Sequence, residues 1–181
     1  MSDVAILRRE VEVISVPYGE KMKLSPGQEV LVTQAMGGNF TLNVMGNLVY
    51  LNSKNADAIG RKKTELPSDK VIINSGDQIN ESLLWDQLKS VYDPEIPVNI
   101  VDLGLIYDIS FYCLASRNYN INIKMTLTAF GCGMGPVLVK DVEDKLKLIA
   151  NIEQVNVQLL FDPPWNTEMM TEEAKLELGL L

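Results

Sequence analysis

The chain has 181 residues, 46% of them hydrophobic and 22% charged, which is globular composition with length for one large or two small domains. A net charge of −8, with only the short basic clusters Arg8-Arg9 and Arg61-Lys62-Lys63, leaves no cationic footprint for nucleic acid or an anionic membrane. The absence of histidine removes Ser-His-Asp and Cys-His catalysis, His-ligated zinc and the usual general base near neutral pH, and two cysteines make no disulfide framework.

From residue 10 to about 51 the chain reads as short strands punctuated by turns. Val11, Val13 and Ile14 to Val16 precede Pro17-Tyr18-Gly19; Met22 and Leu24 precede Ser25-Pro26-Gly27; Val30-Leu31-Val32 precedes Gly37-Gly38-Asn39. Phe40, Leu42 and Val44 alternate up to a hairpin signal at Gly46-Asn47, with Leu48, Val49 and Tyr50 beyond it. Strands this short, with turns this regular, predict a small all-β domain over residues 1–70, a barrel or curled sheet, with a helical turn at Asn55 to Gly60. The polar stretch 61–76, carrying Pro67 and Ser75-Gly76, is the expected domain boundary, although Val71-Ile72-Ile73 could add a strand.

Residues 77–181 alternate helix and strand. Ser75 and Gln78 fit a capping box, and Ile79, Leu83, Leu84, Leu88 and Val91 recur on one helix face up to Tyr92, where Pro94 forbids continuation. Strands are expected at Gly104 to Leu114 and Asn120 to Thr128, joined by the turn Ala115-Ser116-Arg117-Asn118. A helix from Gly135 to Ala150 places Val139, Val142, Leu146 and Ile149 on one face. A strand through Val155, Val157, Leu159 and Phe161 and a short helix from Thr171 to Gly179 complete a two-layer α+β domain. No apolar run approaches the roughly 18 residues of a membrane span and the N-terminus has no secretory pattern, so the expected location is the cytoplasm.

Within this domain Cys132 lies between Gly131 and Gly133, where the strand through Thr128 hands over to a helix. Unpaired N–H groups and the helix dipole favour thiolate there, and the glycines leave the sulfur uncrowded. The same residue could simply be a small apolar side chain closing the helix start. Cys113 shares strand parity with Ile109 and Phe111 and is expected to fill the core. Asp93 and Glu95 could bind a cation or only terminate the preceding helix; beside a thiolate their charges would raise its pKa, against the dipole. Trp165 reads as a packing lid, and Met134, Met169 and Met170 as adaptable packing.

Five ordered motifs carry a family resemblance: Asp93-Pro94-Glu95-Ile96-Pro97, Val101 to Ile109, Met125-Thr126-Leu127-Thr128, Cys132, and Phe161-Asp162-Pro163-Pro164-Trp165-Asn166. Over about residues 78–181 the chain resembles the iron–sulfur assembly domain shared by SufT, PaaD and the eukaryotic cytosolic iron–sulfur maturation proteins. The N-terminal β region and the glycine-flanked cysteine are most similar to the SufT group. The resemblance implies a maturation factor, not a turnover enzyme, that helps carry or insert clusters into recipient apoproteins alongside other assembly proteins. Cys132 matches the functional cysteine, Asp93 and Glu95 the acidic loop, and Thr128 the threonine beside the cysteine. Many relatives have proline after the cysteine and a second threonine where this chain has Gly133 and Ala129.

The implied cargo is an iron–sulfur cluster held transiently. Such clusters normally take four thiolates, so one chain cannot complete the site, and a symmetric dimer, a partner protein or a small thiol must supply the remainder. Two other classes stand beside this one. A cysteine-dependent thiol enzyme would turn over small electrophiles, and an adaptor would bind partners regardless of Cys132.

Overall fold

The computed structural model describes residues 3–62 and 79–180, which fall into two compact units. The first combines the N-terminal region with Asp93–Pro97 and Cys132–Pro136; the second holds the rest of the C-terminal region. The expected boundary at 61–76 lies almost wholly outside the described residues, as do the strand expected at Val71-Ile72-Ile73 and the capping box at Ser75 and Gln78.

In the first unit β1 (Asp3–Ile6), β2 (Val11–Ser15), β3 (Lys21–Leu24), β4 (Glu29–Met36), β5 (Asn39–Val44) and β6 (Asn47–Leu51) form one antiparallel sheet in the order β1-β4-β5-β6-β2-β3. The sheet is open, with β1 and β3 at its edges, so the curled-sheet reading holds and the closed barrel does not. Alternation drives one face inward: Val11, Val13, Val30, Val32, Leu42, Val49 and Leu51 are buried with Ala56, Ala58 and Ile59 of a 3-10 turn at Ser53–Ile59. Two hairpins turn on two residues with positive φ, Gly37-Gly38 and Met45-Gly46, the geometry that matches strand twist. The second turn therefore sits one residue earlier than the Gly46-Asn47 pattern predicts, and Asn43 accepts the Gly46 N–H through its side chain.

The second unit begins with α1 (Glu81–Leu88), capped by Asn80, whose side-chain oxygen accepts the Leu83 N–H. Bonds from Ser90 N–H to Gln87 and from Val91 N–H to Leu88 tighten its end, so the helix stops before the turn that Pro94 would forbid. A sheet of β7 (Ile106–Cys113), β8 (Tyr119–Met125) and β9 (Ile152–Leu159) follows, with β7 antiparallel and β9 parallel to β8. The parallel pair needs a long crossover, and α2 (Gly135–Leu146) provides it. Leu84 and Leu88 of α1, Ile121, Ile123 and Met125 of β8, and Leu138, Val142 and Leu146 of α2 are buried and form the unit's core. The chain ends in α3 (Glu172–Glu177), capped by Thr171. This is the expected α+β architecture. No described helix is long and apolar enough to cross a membrane.

Cys113 departs from expectation. It is the last residue of β7, an outer strand of the three-stranded sheet, and it is exposed. Its partners in parity, Ile109 and Phe111, are only half-buried. Alternation gives a direction for a side chain but not a cover over it.

Candidate functional site

The acidic loop is built by its own composition. Pro94 and Pro97 cannot donate hydrogen bonds, so the loop turns on the Asp93 side chain, which accepts the N–H groups of Glu95 at 2.8 Å and Ile96 at 2.9 Å. Its outward carbonyls are met by the N-terminal sheet. Gln34 of β4 donates its side-chain amide to Asp93 O at 2.9 Å, and the buried Thr41 of β5 donates its hydroxyl to Pro94 O at 3.0 Å. Asp93 is itself 6% exposed, and burial raises its carboxyl pKa against the pull of the two N–H donors. Burial, and then the charge of Asp93, also raise Glu95, which sits at the exposed tip.

The cysteine loop lies in the same unit. Cys132 is half-buried, its carbonyl accepts the Gly135 N–H at 3.2 Å, and its sulfur receives the Met134 N–H. Burial is the largest influence on the thiol and pushes its pKa up; Met134 opposes this, and the charges of Asp93 and Glu95 add to the rise. The expected net stabilisation of thiolate is therefore reversed in the resting protein. The helix proper starts at Gly135, three residues on, so the sulfur meets one N–H and not a full helix terminus.

The two glycines beside the cysteine differ in purpose. Gly131 takes φ 74° in open space, a left-handed conformation that disfavours other residues. Gly133 is required by contact: a Cβ there would overlap the Tyr18 carbonyl oxygen, and one on Gly19 would overlap the carbonyl of Gly133. Neither proline nor alanine fits at Gly133 without moving one backbone from the other.

The first unit thus brings Cys132, Gly133, Asp93 and Glu95 together, whereas Thr128, Gly131 and Trp165 belong to the second. Thr128 is half-buried on the bend after β8, which ends at Met125. Trp165 is half-buried and donates its indole N–H to the carbonyl of the buried Leu103 at 2.7 Å, while Tyr107 donates to Pro163 O at 2.7 Å. These bonds fasten the 162–165 loop to its own unit. Sequence reasoning missed Gly19, Gln34 and Thr41. Their signal was only the turn Pro17-Tyr18-Gly19 and polar side chains on strands whose neighbours are apolar.

Among the described residues no group of three or more Cys, Asp or Glu is arranged to hold a metal ion. One thiol and two carboxyls per chain are what this site offers.

Comparison with known proteins places residues 82–159 within the iron–sulfur cluster assembly protein family. A Porphyromonas gingivalis protein named Fe-S protein maturation auxiliary factor is 44% identical over 94 residues, covering 52% of this chain and 86% of that one. The Staphylococcus aureus Fe-S protein maturation auxiliary factor SufT is 37% identical over 90 residues, 50% of this chain and 98% of its own. A crystal structure of a Bacillus anthracis domain of unknown function, DUF59, superposes with a TM-score of 0.50 at 36% identity, covering 56% of this chain and 95% of that one. With five motifs in order, the matching fold and relatives covered almost end to end, the chain belongs to the iron–sulfur cluster assembly protein family.

Proposed function

We propose that the protein is a maturation factor for iron–sulfur proteins, in which Cys132 contacts the cluster as cargo and Asp93 and Glu95 draw iron to it. The observation that carries this reading is a half-buried thiol coupled to two carboxyls, on loops that lie inside the family match. The carboxylates that disfavour a thiolate in the resting protein become favourable once a cation arrives, because a coordinating thiol is deprotonated outright. The site is therefore quiet when empty and competent when iron is delivered. Since one chain offers one thiol here, the remaining ligands come from a second copy, a partner assembly or recipient protein, or a small thiol, and the cluster is held loosely enough to pass on. A turnover thiol enzyme fits less well: no histidine is present to act as base, and the thiol pKa is raised.

Anaerobic reconstitution with iron and sulfide tests the reading, followed by absorption and Mössbauer spectra and native mass by light scattering. The expected result is a labile cluster found only with a dimer, a bound partner or added thiol. A stable cluster on a strict monomer without added thiol would overturn the ligand count.

A further inference from the structure

The N-terminal sheet lies outside the family match, yet it supplies three contacts to the loops that carry the site. The turn between β2 and β3 is fixed by Gly19 N–H to Ser15 O, Ser15 N–H to Glu20 O, and Glu20 N–H to the Ser15 hydroxyl. That turn meets Gly133 backbone to backbone, so closely that neither Gly19 nor Gly133 tolerates a Cβ. Gln34 and Thr41 hold consecutive carbonyls of the acidic loop, and Thr41 is 4% exposed.

We propose that the N-terminal sheet is a positioning device for the site: Gly19 seats the cysteine loop, Gln34 and Thr41 seat the acidic loop, and together they set how far the Cys132 sulfur is open. This deepens the reading of Cys132 as the working residue. Gly19, Gln34 and Thr41 are positioning residues, acting through the two loops.

The test uses the full chain and the rate of iodoacetamide alkylation at Cys132 relative to Cys113, read by peptide mass in one sample at one pH. Cys113 is exposed in the second unit and serves as internal reference. Thr41→Val and Gln34→Leu should each raise the ratio about three- to tenfold, the factor expected from losing one net hydrogen bond that closes a loop. Thr41→Ser keeps the hydroxyl and should keep the wild-type ratio. A purely structural role would lower the melting temperature without moving this ratio. Gln34 is half-buried, so Gln34→Leu keeps the test decisive should Thr41→Val fail to fold. An unchanged ratio in folded Gln34→Leu would overturn the proposal. Alkylation needs no iron, so failure of cluster loading and failure of positioning are separate results.

Discussion

At Cys132 burial, one N–H donor and two neighbouring carboxyls act on the same sulfur, and burial with the carboxyls prevails. A thiol whose folded pKa lies above its unfolded value holds its proton more tightly when folded. Its contribution to stability is complete below the ordinary thiol value of about 8.5 and is lost as pH rises above it. As pH rises above the ordinary thiol value, wild type should therefore lose more melting temperature than Cys132→Ser does; identical slopes in thermal melts would contradict the burial argument. Cys113 makes only a 3.6 Å contact to Leu114 O at an exposed strand end, so Cys113→Ser should change stability by less than about 0.5 kcal/mol. By the same exposure Cys113 should alkylate faster than the half-buried Cys132. Cys132, Asp93 and Glu95 stand out in the sequence because glycine and proline mark special backbone, and the structure groups their loops in one unit. It misjudged Cys113 because parity along a strand carries no information about what lies above it.

Elements were legible wherever local chemistry agreed with packing. The Gly37-Gly38 turn, the alternating β5 and β8, and the Thr171 cap all stand where residue type alone puts them. Asp3–Ile6 escaped notice because β1 pairs on one side only, with β4, and its residues do not alternate in burial. The start of α1 was equally obscured, since Asn80 competes with Ser75 as cap and only the fold decides. Removing that cap by Asn80→Ala should cost about 1 kcal/mol in denaturant melts. Leu88, fully buried at the helix end, should cost about 2–5 kcal/mol when cut to alanine. A larger loss from Asn80→Ala than from Leu88→Ala would mean that α1 is held by its cap and not by its packed face.

At the scale of the whole chain, nearly all of a 44% identical relative corresponds to about half of this protein. Residues 77–181 are accordingly expected to fold when expressed alone and to melt cooperatively, while Cys132 alkylates faster for want of Gly19, Gln34 and Thr41. An insoluble or non-cooperative fragment would mean that both regions share one folding core. The change from strand to mixed periodicity suggests two regions, but it does not show that loops 93–97 and 132–136 cluster with the first, because contacts such as those of Gln34, Thr41 and Gly19 join residues remote in sequence. The proposed function rests on the sulfur of Cys132, next to Gly133. The most direct test is iron and sulfide per chain after anaerobic reconstitution of wild type, Cys113→Ser and Cys132→Ser. The account predicts wild-type loading for Cys113→Ser and near-complete loss for Cys132→Ser; full loading of Cys132→Ser would contradict it.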